Sequence, residues 1–307
     1  MVEELLYHPT PSITLLPCDC FLAAEYHLAY LYIAIPFKVF IGQIVCPNDG
    51  SLTLSKHLMV GQKIFIEALK KGASVEASSQ LDEEIESLSC LRHPNICRLV
   101  AVCGTNQPKF LLTECLEGMR LDSYLASLNV SSNSQKSEIL ADIVVKLCSA
   151  LQYLASIKFI HRDIAARNVI YGIGNVVKLT NTAAACPGYS DCYYYIQEKR
   201  SLYPIRWMAP EALNDSAGTV QSDIWSFGVL LWEIYTFAKI IPFETQGNLQ
   251  VLNQLEMLNR IGCACVEYLP LKFLTCPALL LQIMRRCWNV GPAQRITASE
   301  IYDTLTS

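Results

Sequence analysis

The residues of this chain best suited to chemistry lie in one run, His161-Arg162-Asp163-Ile164-Ala165-Ala166-Arg167-Asn168. A carboxylate can accept the proton of a hydroxyl, and an amide oxygen nearby can hold a metal ion. Transfer of a phosphoryl group to a hydroxyl needs both. Asp163 and Asn168 supply them within one loop, which follows directly on a long amphipathic segment. There Leu140, Ile143, Val144, Leu147, Leu151 and Leu154 keep one apolar stripe at helical spacing.

The elements that must position this loop change character along the chain. From about residue 31 to Cys103 the signals are short β-rich runs: Leu31–Ile35, Val39–Val45, Lys63–Ala68 and Cys97–Cys103, with Lys109–Glu114 just beyond. One helix interrupts them, with Leu81, Ile85 and Leu88 at helical spacing. After Glu117-Gly118 helices take over, at Ile224–Phe237, Leu249–Leu258 and Leu279–Cys287 besides the stripe above. The expectation is an α+β chain with a small β-rich lobe over residues 31–116, carrying one helix, and a large, mainly helical lobe over 117–307. Residues 1–30 are left as an unplaced leader.

The eight-residue run resembles the catalytic loop of protein kinases, and its Ala-Ala-Arg filling resembles the tyrosine-kinase branch. The resemblance covers roughly residues 35–305 and implies the bilobal protein-kinase fold. Ala209-Pro210-Glu211 is similar to the motif that closes a kinase activation segment, with Pro204-Ile205-Arg206-Trp207-Met208 as the substrate ledge before it. Asp223-Ile224-Trp225-Ser226-Phe227-Gly228 resembles the buried helix that anchors the catalytic loop, and Arg295 stands where the family's arginine pairs with Glu211. Tyr153–Ile160 and the long segment from Pro242 to Pro277 are most similar to the discoidin-domain receptors, with the Ror, Ryk and colon-carcinoma-kinase receptors as rivals. By this resemblance Asp163 is the base, Arg167 its neighbour and Asn168 a metal ligand. Gly42, Glu84, Thr113 (the gatekeeper position) and Cys115 line the ATP site.

Against that pattern the nucleotide groups are damaged. Counting back from Gly42, the first two glycine positions read Phe37 and Val39, whose side chains would crowd the phosphates. Counting back from the helix glutamate, Glu84, in the discoidin-receptor pattern puts Glu67 where the third-strand lysine belongs. That reverses the charge facing the α/β-phosphates and sets two carboxylates against each other. A one-gap shift selects Lys63 or Lys70 instead, and Lys38 is a further candidate cation. The triplet in place of Asp-Phe-Gly reads Asn181-Thr182-Ala183, so an uncharged amide replaces the metal-binding carboxylate. Tyr189, Tyr193, Tyr194 and Tyr195 crowd the activation segment as candidate phosphorylation sites, with Arg162 a natural partner for the phosphate.

Composition excludes several other classes. A net charge of −4 gives no basic field for nucleic acid. Of the 14 cysteines, neither close pair (Cys18 with Cys20, Cys263 with Cys265) has a second pair at zinc-finger spacing, so thiols in a reducing compartment are expected. The apolar stretch from Phe21 to Val45 is broken by Glu25, His27, Pro36 and Lys38, which argues for strands over a membrane span. The resemblance therefore implies a pseudokinase domain, cytoplasmic, from the intracellular part of a plasma-membrane receptor whose membrane segment lies outside this chain. Its partners would be other kinases or signalling adaptors, and ATP and Mg²⁺ its cofactors only if activity is retained. The alternative is a weakly active tyrosine kinase.

Overall fold

In the computed structural model the described residues are 15–16, 21–24, 37–44, 63–69, 85–86, 88–103, 110–128, 133–180, 192–197, 201–214, 218–261, 268–272 and 274–307. Contacts divide the chain into two units, with one boundary between Cys115 and Leu116. The first holds a six-stranded sheet built from β1 (Leu15–Leu16), β2 (Phe21–Ala24), β3 (Phe37–Ile44), β4 (Lys63–Leu69), β5 (Leu99–Cys103) and β6 (Phe110–Glu114). Their order is β1-β5-β6-β4-β3-β2, antiparallel except for β1 beside β5. Ile64 and Ile66 of β4 and Leu111 and Leu112 of β6 are fully buried, and Leu99 and Val102 of β5 pack with Leu111 and Ile85. β-branched and leucine side chains on paired strands close this core.

Two differences from the sequence expectations stand out. The stretch 1–30, expected as a leader, contributes β1 and β2 to this sheet; elements of two and four residues are too short for a periodic signal. Phe37, Val39 and Gly42 all lie within strand β3, where Val39 faces Glu67 and Gly42 sits between Ala23 and Ile64. The connection from β2 to β3 runs instead over residues 25–36. The expected run Leu31–Ile35 and the helix positions Leu81 and Glu84 lie outside the described residues, while Ile85, Glu86, Leu88 and Ser89 are helical.

The second unit runs from Leu116 to Ser307 and takes in His93–Ile96. Its helices are α1 (Leu121–Ser127), α2 (Asn133–Ser156), α3 (Val220–Tyr235), α4 (Asn248–Ile261), α5 (Ala278–Cys287) and α6 (Ala298–Thr306). A three-stranded antiparallel sheet of β7 (Gly118–Arg120), β8 (Val169–Gly172) and β9 (Val176–Leu179) completes it, with a hairpin of β10 (Tyr194–Ile196) and β11 (Ser201–Tyr203). The α2 stripe is buried as its spacing predicts: Ile143, Val144, Leu147, Leu151 and Leu154 are each at most 2% exposed. At roughly 1.5–3 kcal/mol per buried aliphatic side chain, this face outweighs helix propensity in holding α2 in place.

Helix α3 is the axis of the unit, buried from Ser222 to Tyr235. It starts at a capping box in which Thr219 and Ser222 exchange side-chain-to-backbone hydrogen bonds. It ends two residues before the predicted Phe237, because Phe237 and Ala238 take positive φ of 57° and 50°. Asp223 in its first turn accepts the backbone N–H of His161 at 2.6 Å and of Arg162 at 2.9 Å. Gly228 lets α5 approach closely, since a Cβ there would lie 2.7 Å from both Cys287 Cβ and Trp288 Nε1. Arg295, buried, clasps Glu211 through both carboxylate oxygens at 2.5 and 2.8 Å.

Gly228→Ala should therefore overpack the α3–α5 contact and lower stability by about 1–3 kcal/mol, read as a drop in the urea midpoint. A second outcome concerns pH. Burial pulls His161 from its ordinary 6.5 down to about 4, against the pull of Asp163. The unfolded chain therefore binds this proton below pH 6.5 while the native chain refuses it until about 4. The neutral imidazole's contribution is present above 6.5 and is lost as pH falls towards 4. Asp223, pushed by burial up to about 7, works the other way, its contribution being lost as pH rises towards 7. His161→Gln removes only the first effect, so its urea midpoint relative to the natural chain should rise between pH 6.5 and 4. A constant difference would exclude His161 as the acid-sensitive group.

Candidate functional site

The site is built from the segment that leaves α2. Lys158, at φ 58°, turns the chain out of the helix, and Phe159 N–H donates back to Leu154 O at 2.9 Å. Arg162 has φ 69°, a left-handed conformation that costs a non-glycine residue energy, and the two hydrogen bonds to Asp223 hold it there. Further along, Ala166 N–H donates to Glu233 Oε2 at 2.9 Å. Both ends of the loop are thus tied to acids on α3, and burial pushes each of these carboxyls up to about 7.

Between these ties Asp163, Arg167 and Asn168 come together as the spacing implied. Arg167 Nη2 donates to Asp163 Oδ1. Asn168 Nδ2 donates to Asp163 Oδ2 at 2.6 Å and to its backbone oxygen at 2.8 Å. Arg167 and Asn168 are buried, the guanidinium stacked 4.0 Å over the Trp207 ring. Burial alone would push that guanidinium down, but Asp163, Tyr193, Cys192 and Glu233 together outweigh it and the net shift is upward.

Tyr193 completes the cluster. Its hydroxyl donates to Asp163 Oδ2 at 2.5 Å and accepts from Arg167 Nε at 3.1 Å, and its ring lies under the guanidinium at 4.9 Å. Burial, and then the Asp163 charge, push the phenol well above its ordinary range, so it stays protonated and donates. The carboxylate expected to take a proton from an incoming hydroxyl is already hydrogen-bonded to a hydroxyl of its own chain. Beside it, burial raises the Cys192 thiol to about 11.

Of the other predicted positions, Thr113 is buried on β6 opposite Leu99 and Phe65, and Cys115 is half-buried just after that strand. The backbone of Glu67 pairs with Val39 and Leu111 at the middle of the sheet. Tyr194 is half-buried and Tyr195 exposed, both on the β10–β11 hairpin. Glu84, Asn181 and Tyr189 lie outside the described residues, although Thr180, next to Asn181, donates its N–H to Asn168 O at 2.8 Å. Among the described residues no group of three or more His, Cys, Asp or Glu could hold a metal ion. Sequence reading missed two contributors, Glu233 and the Trp207 stack. Glu233 did leave a signal, an acid within the apolar run Val229–Tyr235.

Comparison with known proteins agrees with this geometry. The model of the protein tyrosine and serine/threonine kinase family matches residues 48–305. The tyrosine-protein kinase transmembrane receptor Ror of Drosophila melanogaster is 32% identical over 269 residues, covering 87% of this chain and 36% of the receptor. The human proto-oncogene tyrosine-protein kinase ROS is 34% identical over 251 residues, covering 79% of this chain and 10% of that protein. Tyrosine-protein kinase SRK2 of the sponge Spongilla lacustris is 31% identical over 263 residues, covering 81% of this chain and 68% of its own length. The chain thus spans about a third of the Ror receptor and a tenth of ROS. With its catalytic-loop cluster, its Arg295–Glu211 clasp and these relatives, the chain belongs to the protein tyrosine and serine/threonine kinase family, as a tyrosine-kinase domain with the mixed α/β fold of that family.

Proposed function

We propose that this domain is a pseudokinase that acts in signalling by docking to other kinases or adaptors and by being phosphorylated on its activation segment. The observation that carries the reading is Glu67, an anion at the position of the nucleotide-binding lysine. Two others support it: residues 25–36, which connect β2 to β3, contain no glycine, and Asn181 replaces the metal-binding Asp. Loss of such electrostatic groups typically costs about 10²–10³ in rate each, so several together leave little. Mg²⁺ would neutralise triphosphate charge. Asn168 and Asn181 would meet it only as neutral amides, and Asp163 already accepts three side-chain hydrogen bonds. The donor set therefore fits that ion poorly. The Ror and ROS relatives, with the discoidin-receptor likeness of Tyr153–Ile160, point to the cytoplasmic part of a plasma-membrane receptor.

A second reading has one observation in its favour, the complete catalytic loop. Here Asp163 is the base of a weak tyrosine kinase and Lys38, Lys63 or Lys70 supplies the missing cation. Phosphate transfer from ATP by the purified chain, abolished by Asp163→Asn, would establish it.

Thermal unfolding with millimolar ATP and Mg²⁺ separates the two. A ligand that binds only the folded state must raise the transition temperature, so the pseudokinase reading expects no Mg²⁺-dependent rise, and a clear one would overturn it. The geometry also orders the phosphorylation sites. Tyr195 is 44% exposed, whereas Tyr193 is 9% exposed and bonded to Asp163. An added active tyrosine kinase should label Tyr195 before Tyr193 in a mass-spectrometric time course. Labelling of Tyr193 first would show that the closed cluster does not persist in solution.

A further inference from the structure

Strands β1 and β2 follow each other in the chain, yet they stand at opposite edges of the six-stranded sheet. Leu15 and Leu16 pair with Val102 and Cys103 of β5, whereas Phe21–Ala24 pair with Ile41–Ile44 of β3. Only residues 17–20 join the two strands.

Their directions sharpen the point. β1 is parallel to β5, and the antiparallel pairs β5–β6, β6–β4, β4–β3 and β3–β2 return β2 to the direction of β5. β1 and β2 therefore run the same way. In one flat sheet two such strands need a crossover of roughly a dozen or more residues. Neighbouring strands lie about 4.8 Å apart, so the steps from β1 across to β2 would come to about 24 Å in a flat sheet. The chain from Leu16 to Phe21 reaches at most about 18 Å when fully extended. A flat sheet is thus excluded. The sheet curls until its two edges come within reach of each other, and the chain passes from one to the other without reversing.

We propose that Leu15–Ala24 are a strap that holds this curled sheet shut, β1 covering the outer edge of β5 and β2 that of β3. An open edge on an apolar strand is a template for another chain. β5 reads Leu-Val-Ala-Val-Cys, with Leu99, Ala101 and Val102 buried, so its edge is one that needs a cover. The β1 end is held by a pair of residues and the β2 end by four, so β1 is the end that releases first. Its release offers the β5 edge to a second copy of this chain. β2 leads directly into residues 25–36, so the strap also holds the near arm of that connection, whether or not the domain transfers phosphate.

Leu16 is the partner of a natural cysteine, Cys103, across the β1–β5 pair. Their Cα spacing of about 4.8 Å lies within the roughly 4.4–6.8 Å that a disulfide spans, so one substitution tests the strap. Leu16→Cys is oxidised in native buffer with copper phenanthroline, alkylated and digested. The expected product is a peptide pair linked through positions 16 and 103, formed in far higher yield than in urea and lost on treatment with dithiothreitol. Should Leu16→Cys fail to fold, Leu15→Cys combined with Val102→Cys puts the same question at the neighbouring pair. Links from position 16 to Cys18, Cys20 or other thiols, with none to Cys103, would overturn the proposal. The edge is tested by Leu15→Pro with Leu16→Pro, which withdraws the backbone donors of β1. This variant should show a lower urea midpoint and, by light scattering, larger species than the natural chain at equal concentration. An unchanged midpoint with an unchanged mass would show that β1 restrains nothing and would also overturn the strap.

Discussion

The whole arrangement depends on one buried carboxylate, Asp223, accepting two consecutive backbone amides. A loop that leaves a helix has no regular partner for its N–H groups, and orphaned buried amides are costly. His161 and Arg162 would be such orphans, the second with a positive φ that an L-residue resists. Removing a carboxylate from water is itself unfavourable, which is why burial pushes Asp223 up to about 7. The two N–H donors oppose that shift. Each side of the contact compensates the other, so neither the loop nor the N-terminal turn of α3 can be altered alone.

From that anchor the rest follows outward along α3. Glu233 repeats the device at the far end of the loop, and Gly228 between the two acids allows α5 to pack against the helix. With both ends fixed, Asp163, Arg167 and Asn168 have one mutual arrangement, and the Trp207 ring covers the guanidinium. All of these contacts lie within the chain. They do not depend on nucleotide, so the loop can keep its residues for stability alone. An intact catalytic loop is therefore weak evidence for turnover.

What could be read from residues alone was what is periodic or locally dense. The α2 stripe, the buried helix starting near Asp223 and the Asp163–Asn168 pair each carry their information within about a dozen residues, and each is found where the spacing puts it. Strands β1, β2 and β7–β9 run two to four residues, less than two periods of alternation, and their pairing is set by partners far along the chain. The tyrosines posed the same difficulty. Tyr193, Tyr194 and Tyr195 are alike in type and adjacent in sequence, and only the contact with Asp163, thirty residues away, distinguishes the first.

That contact also sets the terms on which either functional reading can hold. Asp163 Oδ2 accepts the Tyr193 hydroxyl and the Asn168 amide together, and a substrate hydroxyl must lie within about 3 Å of the same carboxylate to give up its proton. Occupation by Tyr193 and by substrate are therefore exclusive at one oxygen atom. Withdrawing Tyr193 breaks its bonds to Asp163 and Arg167, but leaves the guanidinium stacked on Trp207 and bonded to Asp163 Oδ1. The loop itself survives the exchange. Phosphate on Tyr193 would add about two negative charges beside the Asp163 carboxylate in a buried site, where like charges are least tolerated. The closed cluster and a phosphorylated Tyr193 cannot coexist, so modification at this position must move the segment that carries it, whatever the fate of catalysis.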